Sequence, residues 1–549
     1  MASHDLHAAA FPALSESQIS SLAECTEAKL TRFQDGQALF KVGARNSQFF
    51  VVKSGQIEVR DESGDMPRIL TVHSRGEFSG DESLLSGAGS LVSGYARGET
   101  EVFGISTSSL RQVLNRCPDL GDLILQAFIA RRQLLRESGE FTGLRVLGSR
   151  YSQDTFRIRD FLARNRVLFT WLDLEADQQV VAMLKQFGVT EAETPVVICG
   201  QFMLHRNPSN LELAETIGLR RTPDQTVYDL AVVGAGPAGL AAAVYGASEG
   251  LSTVILERTA AGGQASRSMR IENYLGFPTG VTGAELTERA VVQANKFGAM
   301  LSVPTPVIGL TFENSYAVLS LEGGGTVIAK SLLIATGADY RKLGVEGCDK
   351  YEGCGVYYAA TPNEVQMCHG AEVLVVGGGN SAGQAAVFLA SQARKVNLLI
   401  RGDDLAKSMS MYLVRRIEQT ATIEVLRNTE IKRMRGNGYL DAVDVVNNQT
   451  GEERTIETPA VFSFIGAVPR CDWVSSSVER DPKGFIRTGP NLESSTARAG
   501  KRAPFFLETS RPGVFAAGDV RSSSVKRVAS AVGEGAMAVQ FVHAYLSEK

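Results

Sequence analysis

Two glycine-rich segments of the same type lie in one chain, and each falls where a strand pattern gives way to a helix pattern. The first is Gly234-Ala235-Gly236-Pro237-Ala238-Gly239, after the apolar run Leu230 to Val233 and before Leu240 to Ala247. The second is Gly377-Gly378-Gly379-Asn380-Ser381-Ala382, after Glu372 to Val376 and before an alanine-rich helical stretch. In such a segment the first glycine makes a tight turn and the second lets backbone approach a pyrophosphate. The third small residue lets the helix pack on the strand, while the helix N-terminus offers unpaired N–H groups to the anion. One match alone carries little weight. Two in context predict a pair of Rossmann-like units, one for a flavin and one for a nicotinamide, in an oxidoreductase.

The 549 residues allow three or four domains at roughly 100–200 residues each. An apolar share of 44% with 55 glycines suits soluble α/β domains rich in tight turns. No apolar run approaches the ~18–20 residues that span a bilayer, so no membrane association is expected. Met1 to Ser20 lacks the basic start and apolar core of a signal peptide. The net charge of −4 leaves no electrostatic footprint for nucleic acid, and the seven scattered cysteines argue against a secreted disulfide scaffold. A cytoplasmic location is expected.

The first fingerprint has a carboxylate where a ribose partner belongs. Ser252 to Leu256 reads as the next strand, and Glu257 ends it, 18 residues beyond Gly239. Downstream stand Gly262-Gly263-Gln264, Ile271-Glu272-Asn273-Tyr274, Ala335-Thr336-Gly337 and Val514-Phe515-Ala516-Ala517-Gly518-Asp519-Val520. Taken in order, these residues resemble the low-molecular-weight thioredoxin reductase family over about residues 226–549. The resemblance implies FAD held at Gly234, Gly236, Pro237, Ala238, Gly239 and Glu257. It also implies Gly263, Gln264, Asn273, Thr336 and Gly337 near the flavin, Gly518 and Asp519 at the ribitol, and Lys526, Arg527 and Val528 at the isoalloxazine. An FAD domain split into 226–341 and 469–549, a nicotinamide domain at 342–468 and a homodimer complete what the family implies.

The second fingerprint (Gly377, Gly379, Asn380, Ser381, Ala382) is expected to hold the nicotinamide cofactor. Lys395 to Ile400 reads as the following strand, and Arg401 closes it, 22 residues after Gly379. A cation there can pair with the 2′-phosphate of NADPH, whereas NADH sites usually place an acid. The family has a second arginine next to it; here Gly402 follows, then Asp403 and Asp404. NADPH is favoured over NADH on Arg401 alone.

The family's Cys-Ala-Thr-Cys-Asp should lie just before the second fingerprint. This chain has Ala359-Ala360-Thr361-Pro362-Asn363 there, so both cysteines and the acid are replaced. A disulfide relay needs an attacking thiolate, a second sulfur and a proton donor; none of the three is present. Cys348, Cys354 and Cys368 flank the segment, read as buried or incidental thiols, with an unforeseen disulfide reductase geometry as the alternative. The electron acceptor stays open: oxygen, a quinone, another protein or a substrate disulfide.

Residues 141–218 read as a small β-α-β-α-β-β-α unit. Gly143 to Leu147 and Val167 to Asp173 are strands, Ser152 to Arg164 an amphipathic helix, and Thr194-Pro195 opens a strand at Val196 to Cys199 with a turn at Gly200-Gln201. This resembles the thioredoxin and glutaredoxin fold, in which that proline is cis. Ser149-Arg150-Tyr151-Ser152 stands where the fold has Cys-x-x-Cys, so the unit reads as redox-silent: a rigid coupler, or a docking site for a thiol peptide.

Residues 1–140 carry short alternating strands between glycine turns, such as Gln48 to Val59, closed by helices at Thr107 to Arg116 and Gly121 to Glu137. The pattern resembles cyclic nucleotide-binding domains. Gly80 and Asp81 match the start of the phosphate cassette, yet Leu91 stands at the expected arginine and the nearest arginine is Arg97. Loss of one charge-assisted bond to a buried phosphate costs roughly 1.5–3 kcal/mol. A different small ligand, or a purely structural β-roll, is the expectation at Gly80 and Asp81.

The fold class expected is therefore multidomain: a β-roll with helices, a thioredoxin-like α/β unit, and paired Rossmann-like domains. The leading function is an FAD-dependent NADPH oxidoreductase of thioredoxin-reductase type without the active disulfide, under a sensor domain. No catalytic side chain and no metal are assigned. The rival is a redox-sensing regulatory flavoprotein with little turnover.

Overall fold

The computed structural model describes residues 3–548 except 27, 46–47, 63–65, 88, 138–143, 177, 200–202, 366–367 and 494–501. Helices α1 (Ser3–Ala10) and α2 (Glu16–Cys25) precede a β-roll. Its strands are β1 (Lys29–Phe33), β2 (Ala38–Phe40), β3 (Phe49–Asp61), β4 (Arg68–His73) and, after the short α3 (Glu82–Ser86), β5 (Ser93–Ile105). They pair antiparallel in the order β1-β5-β3-β4, with β2 on β5. Helices α4 (Thr107–Arg116) and α5 (Pro118–Glu137) close the roll over a core containing Phe49, Val51, Phe78 and Phe128. Helix α5 begins at Pro118, ahead of the expected Gly121, because proline fits a first helical turn that needs no N–H.

The middle unit runs β6 (Leu144–Gly148), α6 (Gln153–Arg164), β7 (Phe169–Asp173), α7 (Gln178–Gln186), β8 (Val196–Cys199), β9 (Met203–Arg206) and α8 (Asn210–Thr216). Its sheet order is β7-β6-β8-β9, with β7 parallel to β6 and the other pairings antiparallel. Ser152 caps α6 by accepting from the Thr155 N–H at 3.2 Å, and the Thr194–Pro195 bond is cis. The expected strand start at Gly143, the turn at Gly200-Gln201 and the boundary at 140 lie outside the described residues.

The first fingerprint domain has β10 (Tyr228–Val233), α9 (Pro237–Ser248), β11 (Thr253–Leu256), α10 (Gly283–Phe297), β12 (Met300–Ser302), β13 (Val307–Glu313), β14 (Tyr316–Leu321) and β15 (Thr326–Ile334). Strand β16 (Ala338–Tyr340) leads into the second fingerprint domain. That domain carries β17 (Val356–Tyr357), α11 (Pro362–Val365), β18 (Glu372–Val376), α12 (Asn380–Leu389), β19 (Lys395–Leu399), α13 (Met411–Gln419) and β20 (Ile423–Leu426). The strands β21 (Thr429–Arg435), β22 (Ala442–Asn447) and β23 (Glu453–Glu457) form a side sheet before β24 (Val461–Ser463). The chain returns along β25 (Ala467–Pro469), antiparallel to β16, and β26 (Val514–Ala516) rejoins the first domain on β15. The last helix is α14 (Val528–Ser547).

Strands β10 and β11 are buried almost throughout and pair in parallel, within a mixed sheet whose β13–β14 and β14–β15 pairings are antiparallel. The second domain's sheet, β17-β24-β18-β19-β20, is parallel. The parallel strands of each sheet therefore turn their C-terminal ends, and the glycine segment, toward one edge. Among the described residues no helix is long and apolar enough to cross a membrane.

Candidate functional site

The first glycine segment forms a turn that other side chains cannot occupy. Gly234 has φ +104°, and a Cβ there would run into the Ala335 carbonyl. At Gly239, in the first turn of α9, a Cβ would strike the Gly234 carbonyl oxygen. Gly236 is different: it caps α9, and a Cβ would meet only the Gly263 Cα, at 4.0 Å. The space in front of it is the cleft. Glu257 is buried and accepts from the Ala235 N–H at 2.8 Å and the Thr259 N–H at 2.9 Å, one to each oxygen.

This cleft, about 230 Å³, is lined by most of the residues expected to hold the flavin. Gly234, Gly236, Pro237, Ala238, Glu257, Gly263, Gln264, Thr336, Gly337, Gly518, Asp519, Lys526, Arg527 and Val528 all face it. Gln264 donates to the Ala338 carbonyl, and the Thr336 hydroxyl donates to the Arg470 carbonyl at 2.7 Å. Asp519 accepts from none of the described residues; burial pushes its carboxyl above the usual range, with Lys526 opposing. The Gly518 N–H donates to Glu534 at 2.7 Å, which fixes the turn that presents Asp519.

Asn273 is not brought to the cleft. It sits exposed on a surface turn whose base is the Ile271–Val281 bridge, and its neighbour Glu272 pairs with Arg416 at 3.0 Å. The cleft is also lined by residues that no sequence feature singles out, among them Tyr340, Arg470 and Arg164. Arg470 is held by Asp339 across the β16–β25 ribbon, and burial lowers it to about 10. Arg164 comes from the middle unit. No sequence motif marks either arginine, because each reaches the cleft only through domain packing.

In the second fingerprint Gly377 has φ +140°, and a Cβ would come within 2.5 Å of the Phe464 carbonyl oxygen. Gly379 caps α12 with nothing within 4 Å of a Cβ. Ala382 is fully buried in the helix–sheet interface. Asn380 ties this turn to Ser410, donating to its hydroxyl at 3.0 Å and accepting its N–H at 2.7 Å. Arg401 lies at the end of β19 with 81% of its side chain exposed and Glu430 4.0 Å away.

A cavity of about 290 Å³ joins the two fingerprint domains. Ser381 and Tyr340 line both it and the first cleft, and Ala359, Ala360, Phe388 and Phe464 are among its apolar lining. The middle unit clamps both domains. Asp160 accepts from Arg267 at 2.8 and 2.9 Å, Phe156 packs on Tyr357 at 5.6 Å, and Tyr151 stacks on Tyr439 at 4.7 Å.

Known proteins match the two fingerprint domains. The model of the pyridine nucleotide-disulphide oxidoreductase family matches residues 228–535, more than half of the chain. The chain belongs to that family. Within it, the chain is similar to the thioredoxin reductase of Bacillus subtilis (strain 168), 33% identical over 331 residues, 59% of this chain and 96% of that protein. The thioredoxin reductase of Mycolicibacterium smegmatis is 34% identical over 330 residues, 59% of this chain and 98% of its own. The crystal structure of Lactococcus lactis thioredoxin reductase superposes with a TM-score of 0.53 at 29% identity, covering 59% of this chain and 100% of that one. That of T. acidophilum thioredoxin reductase gives 0.53 at 30% identity, covering 58% and 99%. The cyclic nucleotide-binding domain model matches residues 30–117. As a member of this oxidoreductase family the chain is a thioredoxin-reductase-like enzyme, and the family's cofactors are FAD and NADPH.

In the N-terminal domain Gly80 and Asp81 line a cavity of about 270 Å³. Asp81 caps α3 by accepting from the Ser83 N–H at 2.9 Å. Leu91 lines this cavity, whereas Arg97 is exposed and does not. The buried Arg131 also reaches it, but donates to the carbonyls of Ala10, Phe78 and Gly80 at 2.6–2.9 Å. Ile69, Leu70, Val92, Leu134 and Phe11 supply apolar wall.

Proposed function

We propose that the chain oxidises NADPH and delivers the electrons to an acceptor other than an internal disulfide of the family type. The glycine cradle fits a bound dinucleotide: the turn at Gly234 and Gly239 excludes side chains, and Gly236 leaves the approach open. Gly234, Gly236, Gly239 and Glu257 would hold the adenosine and pyrophosphate end, with Gln264, Thr336, Gly337, Asp519 and Lys526 to Val528 orienting the rest. Gly377, Gly379, Asn380, Ser381 and Arg401 would hold NADPH, Arg401 pairing its 2′-phosphate. When bound, FAD supplies an acceptor for the nicotinamide hydride and a donor to the next acceptor, so the protein's task is positioning and exclusion of water.

One observation carries the departure from disulfide chemistry. Ala359, at the first cysteine position, lines the cavity beside Gln264, Tyr340 and Ser381 and bears no sulfur, and Pro362, at the second, opens α11. The flanking thiols do not line it. Cys354 points its Sγ to the Lys350 carbonyl and Cys368 to that of Glu364, and burial pushes Cys348, Cys354 and Cys368 upward, the last to about 12. A thiol so placed is a poor nucleophile near neutral pH.

The middle unit is read as a thioredoxin-like coupler. Its β7-β6-β8-β9 order and cis Thr194–Pro195 support this, and Ser149 and Ser152 stand at the two sulfur positions. The β-roll is read as a sensor for a small ligand other than a cyclic nucleotide, since Leu91 stands at the cassette's arginine position and Arg131 already donates to three carbonyls. A homodimer is proposed from the family alone. One contact supports the regulatory reading: α3, which Asp81 caps, packs on α10, and Gly283 at the start of α10 abuts Ala265 of the proposed flavin cleft.

An anaerobic NADPH titration of the holoprotein, followed by flavin absorbance, tests the proposal. Bleaching complete at one equivalent per flavin is the expected result. Consumption of two equivalents reveals a connected disulfide, reduced to a dithiol by the second, and overturns it.

A further inference from the structure

The cysteines, scattered in sequence, are not all isolated in space. Cys25 and Cys117 stand 92 residues apart in the chain, yet their sulfurs lie 3.5 Å from each other. Cys25 is the last residue of α2 and is exposed; Cys117 follows α4 as its C-cap and is partly exposed. Both are free thiols. A disulfide has its sulfurs about 2.05 Å apart, so closure needs a movement of about 1.5 Å between two helix ends. Helix ends fray and have spare carbonyls, which makes them tolerant of such a shift. Cys348, Cys354, Cys368 and Cys471, in contrast, are buried.

We infer that Cys25 and Cys117 form a reversible dithiol–disulfide site in the N-terminal domain, oxidised by low-molecular-weight disulfides of the glutathione class. The exposed Cys25 thiolate attacks one sulfur of the small disulfide, forming a mixed disulfide and expelling one small thiolate. The Cys117 thiolate then attacks Cys25 Sγ, forming the protein disulfide and expelling the second. Two electrons pass from the protein pair to the small disulfide, which leaves as two thiols carrying the two protons. The hydrogen bond with Cys25 raises the Cys117 thiol, and the more exposed Cys25 is the sulfur that a small disulfide reaches first.

The position gives the bond a consequence. Asn115, two residues before Cys117, donates to the Lys296 carbonyl at 3.2 Å, one of the contacts between the β-roll and the first fingerprint domain. The disulfide would staple α2 to the end of α4 and so stiffen the element that carries this contact. The site is independent of which acceptor the flavin serves.

The test uses the full-length holoprotein, reduced, desalted and incubated with oxidised glutathione, then acid-quenched, alkylated and mapped by mass spectrometry without reduction. The expected result is a peptide joined through Cys25 and Cys117 that dithiothreitol separates. Both cysteines alkylated, or each carrying its own glutathione, overturns the inference. The Cys117→Ser chain should stop at a mixed disulfide on Cys25; a Cys25 that stays a thiol in that variant overturns the assigned order of attack. Repeating the NADPH titration with Cys25→Ser protein keeps the two questions apart, because this pair can no longer contribute an equivalent.

Discussion

Gly236 has φ −73°, an angle open to every residue, and a Cβ there meets nothing closer than Gly263 Cα at 4.0 Å. Alanine at 236 should therefore fold. Its cost is that of exchanging one N-cap residue for a poorer one, about 1 kcal/mol or less. The added methyl would occupy the approach to the α9 N-terminus, where a pyrophosphate oxygen would accept from backbone N–H groups. Losing one such charge-assisted hydrogen bond costs about 1.5–3 kcal/mol, or roughly ten- to more than a hundredfold in affinity. Gly236→Ala is thus expected to purify with an unchanged circular dichroism spectrum and a depleted 450 nm absorbance, and Gly236→Val with none. Gly239→Ala is the contrast: its methyl runs into the Gly234 carbonyl inside the turn, so fold and flavin should fail together. Flavin titration by fluorescence quenching measures the first effect, and thermal unfolding the second. A Gly236→Ala chain that binds FAD as tightly as the parent would refute the assignment of this cleft.

Arg401→Ala should raise KM for NADPH by about tenfold or more and leave that for NADH unchanged; equal effects on both would remove the 2′-phosphate role. Glu364 is buried in α11, accepts from the Thr361 N–H at 2.7 Å, and is pushed up to about 7 by desolvation. A folded value above the unfolded one adds stability that is complete below about pH 4.5 and lost as pH rises through about 7, about 3 kcal/mol in all. The parent should lose thermal stability between pH 5 and pH 8, and Glu364→Gln should flatten that slope; parallel profiles for the two chains would count against it. Calorimetry with cyclic AMP should show no binding to the parent, because Arg131 is committed to three carbonyls. Tight binding would return the β-roll to ordinary nucleotide recognition.

Much of the fold is legible in the chain itself. Turns that demand positive φ, such as Gly234 and Gly377, and apolar runs buried on both faces, such as β10 and β18, are local demands that only a few residue types satisfy. They fix the two fingerprint units, and with them most of the proposed flavin cleft, before any tertiary contact is known. The absence of sulfur at Ala359 and Pro362 is equally plain in the sequence. Asn273 shows the limit: family order placed it at the flavin, yet the turn that carries it is anchored at its base and leaves its tip in solvent. Arg164 and Arg470 reach the cleft through the clamp of the middle unit and the β16–β25 ribbon, contacts between segments far apart in the chain. The Cys25–Cys117 pair is the sharpest case. Residues 92 positions apart share no periodicity or motif, so only the packing of α2 on α4 brings the two sulfurs together.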